Sequence, residues 1–435
     1  MKTKTKKMKQ AKGSLNHRVE DCSEPGDDKV KSSTDYSKPV YLVAPPLSGQ
    51  RAPSVFMVEA AALADGADPP PARTVAQIRG ARGGMSFVAT HSEQGSWIVG
   101  VGGPRGHTVI YDPSTMKTFE GPELSKPKHK PILISIGSKV YAISRRPKVH
   151  AHTKSDFEPW FESLSFSEGA PSITGENFRS WKTLPPPPFF PSLLDPLEFL
   201  NPPTISVSSY VAIGSHILLS TDCKETGTYA FDVVEEIWEK VCDDNLPFGG
   251  QAVALGGSLF AACCTIHNNF ARAVTVFHMS IKSSSIPMAS SKLATRVLSL
   301  HPVASERGSP LPLLCPTGKG CFCSIRLGSS CGNNLDRPQI ILTAFKIDNF
   351  EAVLTACQTG YSDAMDLQVP VPVRHQNQTY LLPGPFQLKN SLMPVIASIS
   401  MDKELAEHFE GERIKKRPRE ETVSNIFEAA VIRRT

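Results

Sequence analysis

Gln94-Gly95-Ser96-Trp97-Ile98-Val99 reads as a tight turn running into an apolar strand, and the same shape returns three times. The other copies are Ile136-Gly137-Ser138-Lys139-Val140-Tyr141, Ile213-Gly214-Ser215-His216-Ile217-Leu218 and Leu255-Gly256-Gly257-Ser258-Leu259-Phe260. Their turn glycines, Gly95, Gly137, Gly214 and Gly256, stand 42, 77 and 42 residues apart. The middle gap is one period plus 35 residues, and the surplus coincides with the proline-rich stretch 171–203. Self-similarity at such a period marks a repeat architecture. Glycine suits the turn because it adopts the positive φ that a two-residue hairpin loop demands.

Around each turn the pattern extends to four strands. Ile132–Ile136 enters one turn and Val140–Ile143 leaves it. A third run follows in two units, Thr108-Val109-Ile110-Tyr111-Asp112 and Gly227-Thr228-Tyr229-Ala230-Phe231-Asp232. Phe119, seven residues after Asp112, and Trp238, six after Asp232, each lead a short fourth run. A four-stranded unit of this length is a propeller blade. The spacing predicts about six four-stranded blades: 40–60 with 73–79, then 85–125, 131–184, 205–241, 250–295 and 297–358. Val371–Leu382 is expected to pair with the first blade and close the ring, which removes exposed sheet edges.

Gly102-Gly103, Tyr111-Asp112-Pro113 and Phe119 together resemble a kelch repeat. In the 205–241 unit Ser220-Thr221 replaces the double glycine, while Tyr229 and Trp238 are retained. These six positions (Gly102, Gly103, Tyr111, Phe119, Tyr229 and Trp238) are expected to pack the blades. From Tyr41 to Leu382 the chain resembles a plant family, expanded in grasses, of kelch-like and F-box-associated-like proteins of unknown function. The shared features are Tyr41-Leu42-Val43, Gly84-Met85-Ser86-Phe87-Val88, Leu314-Cys315-Pro316-Thr317-Gly318 and Tyr380-Leu381-Leu382. The resemblance implies an all-β, kelch-like β-propeller and carries no activity with it. No Leu-Pro-x-Glu-type start occurs in 1–40, so an F-box adaptor role is not indicated.

Composition agrees with many short elements. Proline contributes 37 of 435 residues, above the average near 5%, and it donates to neither helix nor sheet ladder. The net charge of +5 is mild, and six lysines fall within the first twelve residues. A nucleic-acid-binding core would carry more clustered positive charge. No run of about 18 apolar residues is present, so no membrane-spanning helix is expected. The first lysines lack an apolar stretch behind them, unlike a secretory signal. The ten cysteines then read as reduced thiols of a nuclear or cytoplasmic protein. Residues 1–37 read as a disordered polar tail, and 386–435 as a charged tail. In the latter, Lys415, Lys416, Arg417 and Arg419 form a candidate nuclear-import cluster. Val423, Ile426, Phe427, Ala430 and Val431 fall on one face of a helix.

Candidate chemistry is sparse. Cys315, Cys321, Cys323 and Cys331 are dense enough to suggest zinc, but they lack the paired C-x2-C spacing. The alternation of Cys321 and Cys323 favours buried packing. His150-Ala151-His152 offers two ligands on one strand face and no further partner. Gly328-Ser329-Ser330-Cys331-Gly332 matches G-x-S-x-G, yet a loop follows it rather than the helix of a nucleophile elbow. No catalytic set, cofactor or metal is assigned, and the chain is expected not to be an enzyme. The expectation is a monomeric scaffold that binds a protein partner through propeller loops, with 171–203 as the preferred surface. A nuclear regulator carried by the basic tail and a metal-dependent kelch-type enzyme are the alternatives.

Overall fold

The computed structural model describes residues 40–44, 54–58, 73–92, 95–150, 155–166, 180–266, 271–282, 291–303, 311–329, 338–359, 371–381 and 397–400. Within them, antiparallel meanders follow one another along the chain. The first comprises β1 (Val40–Ala44), β2 (Ser54–Val58) and β3 (Arg73–Gln77). The second comprises β4 (Met85–Ser92), β5 (Gly95–Gly102), β6 (His107–Asp112) and β7 (Lys117–Gly121). The third comprises β8 (Ile132–Ile136), β9 (Lys139–Ile143), β10 (Phe161–Ser165) and β11 (Lys182–Thr183), and helix α1 (Pro196–Leu200) follows it. Then come β12 (Val207–Ile213), β13 (His216–Thr221), β14 (Thr228–Asp232) and β15 (Ile237–Cys242). Next are β16 (Gly249–Gly256), β17 (Leu259–Ile266), β18 (Ala271–Lys282) and β19 (Lys292–Val303). The last meander holds β20 (Leu313–Gly318), β21 (Cys321–Ser329), β22 (Pro338–Ile347) and β23 (Val373–Leu381), with helix α2 (Phe350–Thr359) between its last two strands. Strand β24 (Ala397–Ser400) pairs antiparallel with β1.

The protein is all-β with a propeller-like arrangement. Four sheets have four strands each, and an eight-stranded sheet runs β15-β14-β13-β12-β16-β17-β18-β19. Its halves join at a parallel contact two residues long, Ser209 opposite Gly250 and Tyr210 opposite Gln251. The first strands pack in a closed sequence: β4 on β8, then β12, β16, β20 and β24, which returns to β4.

Strands such as β2, β8 and β9 are apolar at nearly every position, as expected where both faces are covered. In β5, Trp97, Val99 and Val101 face the β8–β11 sheet, where Leu133, Val140, Leu164 and Trp181 meet them. Between them, Ile98 points the other way, to Tyr41, Val55 and Met57 of the first sheet. The period of two thus feeds two interfaces from one strand. Each of six such clusters holds eleven or twelve buried apolar residues. Burying one large apolar side chain is worth about 1.5–3 kcal/mol, whereas a net hydrogen bond gives about 1 kcal/mol. Apolar stacking therefore dominates cohesion between sheets.

Three sequence expectations are corrected. Val373–Leu381 does not pair with the first sheet; it runs antiparallel to β22 over nine residue pairs, from Gln339–Leu381 to Ile347–Val373. The strand beside β1 is β24, with Leu42 opposite Ser398. The division at residues 295–297 falls inside β19, whose ladder with β18 continues from Lys282–Lys292 to Arg272–Val303. The last meander thus spans 313–381 rather than 297–358, and it includes a helix.

Candidate functional site

The connection between β7 and β8 is held by a buried ion pair. Lys128 and Glu162 are both fully buried and bonded to each other. Lys128 also donates to the Pro159 carbonyl at 2.8 Å, and Glu162 accepts from the Ser125 amide at 3.0 Å. Burial pushes the Lys128 ammonium below its ordinary value, and the Glu162 charge opposes that shift. Two such charges in the interior persist only when fully bonded, as here. Their role is to pin the 122–131 connection onto β10.

That connection explains the double glycine. The Gly103 amide donates to the Gly84 and Lys128 carbonyls at 3.1 and 3.0 Å. A Cβ on Gly102 would lie 2.6 Å from the Lys128 oxygen, and its φ is +112°. The Asp of each Tyr-Asp or Phe-Asp pair braces the next hairpin loop. Asp112 accepts from the Ser114 amide at 2.9 Å, and Asp232 accepts from the Val234 amide at 2.7 Å.

The aromatic positions differ from each other in register. Phe119 stands opposite Ile110, whereas Trp238 stands opposite Phe231, the counterpart of Tyr111. One position along a strand is one face of the sheet, so Phe119 and Trp238 are not equivalent. Trp238 packs on Phe161 and Phe231 and donates its indole N–H to the Pro185 carbonyl at 2.8 Å. Trp181 does the same one sheet earlier, donating to the Pro122 carbonyl at 3.0 Å. Both prolines follow the last strand of the preceding sheet. Tyr111 is buried, and burial pushes its phenol up. Tyr229 lies against Phe189, with ring centroids 5.3 Å apart.

The four turn glycines also divide. Gly137 and Gly214 open two-residue loops with φ of +56° and +57°, each followed by Ser. Gly95 pairs with Ser92 and belongs to β5, and Gly256 pairs with Leu259 and ends β16. In the latter hairpin the loop residue is Gly257, φ +57°. Gly256 and Gly257 make room for α2: a Cβ would meet Phe350 at 3.1 Å and Leu354 at 2.7 Å respectively.

The preferred loop surface, 171–203, is described from Ser180 onward. Trp181, Leu184 and Phe190 are buried, and Phe190 meets Trp160 edge-on at 5.9 Å. The chain then projects as a short helix. Asp195 caps α1, accepting from the Leu197 and Glu198 amides at 2.8 Å, while the Glu198 carboxylate accepts from the Asp195 amide at 3.0 Å. This reciprocal box fixes the turn. No residue of α1 is buried. Leu193 is 94% exposed, Leu197 77%, Leu200 79% and Phe199 50%. Phe199 leans edge-on against His150 at 5.1 Å.

A second feature is a cavity of about 480 Å3 among the first strands of five meanders. It is lined from β4, β8, β12, β16 and β20, with Arg145 and Tyr210 together at its wall. The Arg145 guanidinium lies 5.8 Å from the Tyr210 ring centre.

The remaining candidates are dispersed. Cys315 and Cys323 face each other across β20 and β21, both fully buried, and their mutual hydrogen bond with burial pushes the Cys323 thiol up. Among the described residues no three His, Cys, Asp or Glu side chains gather as a metal site. No described helix is long and apolar enough to cross a membrane. Cys331, Ser330, His152, the basic cluster Lys415, Lys416, Arg417 and Arg419, the helical pattern of 423–431 and the 1–37 tail lie outside the described residues.

The family model described as "Protein of unknown function (DUF1668)" matches residues 32–380, and the chain belongs to that family. The match spans the meanders through most of β23 and stops short of β24. It names neither kelch nor F-box kinship. A search of curated proteins found no match.

Proposed function

We propose that this DUF1668 member is a protein-interaction scaffold whose propeller holds α1 out as its docking surface. The observation that carries this reading is the exposed apolar cluster Leu193, Leu197 and Leu200 on a capped, well-rooted turn. Single exposed apolar residues are ordinary; three within eight residues, around a helix with no buried residue of its own, support reading the segment as a docking surface. The root supports it, since Trp181, Leu184 and Phe190 anchor the excursion and reduce the ordering cost of binding. We further read the eight-stranded sheet as two blades, giving six in all. In support, Val211, Leu218 and Ala230 of one half stack on Phe260, Phe277 and Met279 of the other. The halves therefore pack face to face rather than continuing one surface. Localisation to the nucleus or cytoplasm, binding to protein rather than membrane or nucleic acid, and a non-enzymatic role complete the proposal.

The test is the double variant L197D/L200D. It is expected to fold with stability within about 0.5 kcal/mol of the parent, as exposed substitutions do, and to lose the proteins that co-purify reproducibly with the parent from native tissue. An identical set of co-purifying proteins would sink the reading.

A further inference from the structure

We propose that the central cavity is a binding site for a small organic anion with an apolar body, held by Arg145. Four features carry the proposal. The first is size: about 480 Å3 falls within the range of small-molecule sites, roughly 300–1,000 Å3. The second is charge. Among the described residues lining the cavity, Arg145 is the one fixed charge, and no Asp or Glu is present. His91, the other titratable side chain there apart from Tyr210 and Cys315, has its Nδ1 2.7 Å from Ser96 Oγ.

The third is the state of Arg145 itself. Lys128, Lys182 and Arg374 each meet a carboxylate, from Glu162, Glu236 and Asp348. Half-buried Arg145 meets none among the described residues. Its Nε donates to the Lys130 carbonyl at a long 3.4 Å, and the Tyr210 ring flanks it. Of the five N–H donors of a guanidinium, the four on the two terminal nitrogens remain for a ligand. Their planar fork matches a carboxylate or phosphate through two parallel hydrogen bonds. The fourth is the wall. Phe87, Leu133, Ile134, Val211 and Leu313 contribute to the lining, so the anion's body meets apolar surface while its head meets Arg145. Low-dielectric walls strengthen the attraction of the single cation. This site is separate from α1, and its failure leaves the docking surface untouched.

Calorimetric titration of the full chain tests it, with 1-naphthoate as the anionic probe and 1-naphthylmethanol as its uncharged counterpart. The acid is expected to bind at least about tenfold more tightly than the alcohol, because only the acid engages the fork. R145M is expected to bring the acid down to the alcohol's level and leave the alcohol unchanged. Should R145M not fold, R145K serves, weakening the acid and not the alcohol because an ammonium lacks the fork. Absence of acid binding, equal binding of acid and alcohol by the parent chain, or equal loss of both in the folded variant would overturn the proposal.

Discussion

The Lys128–Glu162 pair is the clearest residue-scale commitment of this chain. Removing one partner strands the other charge in the interior, a loss of about 3–5 kcal/mol. E162L and K128M are each expected to lower unfolding free energy in denaturant by that order. The double variant K128M/E162L is expected to lose less than the sum, since neither charge is left. Additive losses would mean that the two side chains do not act as a pair. Glycine positions are graded by what surrounds them. At Gly137 an added Cβ meets nothing within 4 Å, so G137A carries only the left-handed backbone penalty of about 1–2 kcal/mol. G102A adds collision with the Lys128 carbonyl and is expected to lower the melting temperature further than G137A. The double glycine was legible as a motif, but its cause was not. The crowding comes from a loop 26 residues later, which no local pattern announces.

At the scale of elements, the β18–β19 hairpin sets a pH response. His278 is pushed below its ordinary value by burial first and then by the Arg296 and Lys282 charges. His301 is pushed down by burial and then by His375. In both, the folded chain holds the proton less tightly than the unfolded chain does. Their contribution to stability is thus full above about pH 6.5 and is lost as pH falls through that value toward the lower folded pKa. Melting temperature measured from pH 7.5 to 5.5 is expected to fall, and H278N/H301N to flatten the slope; an unchanged slope would contradict the assignment. Element boundaries were legible where a two-residue Gly-Ser loop separates apolar runs, as at Gly137 and Gly214. They were hidden elsewhere. β19 alternates apolar residues with Lys292, Thr295 and Ser299, and its ladder partner lies across residues 283–290. Helix α2 is ten residues long and gains its place by packing Phe350, Val353 and Leu354 over the glycine turns. The offset between Phe119 and Trp238 was hidden because counting from the Asp does not fix which face a side chain takes. The Trp181 and Trp238 indole bonds to Pro122 and Pro185 were similarly invisible. Their sequence signal is a tryptophan leading a last strand and a proline after the previous one.

At the scale of the whole molecule, the recurrence of antiparallel meanders was readable and the closure was not. Apolar periodicity reports that a strand is buried, not which strand it joins, so Val373–Leu381 and Ala397–Ser400 exchanged roles. The short β24 carries only four residues, yet it pairs with β1 and packs on both β4 and β20. It thereby joins the C-terminal part of the chain to the N-terminal sheet. The scaffold reading depends on that join, because a closed run of strands would hold α1 and the Arg145 cavity in place. Hydrogen exchange of chains ending at residue 400 and at residue 396 tests it most directly. The longer chain is expected to protect the β1 amides as the full chain does, and the shorter to lose that protection and melt at a lower temperature. Equal protection of β1 in both would contradict closure by β24 and, with it, the closed ring.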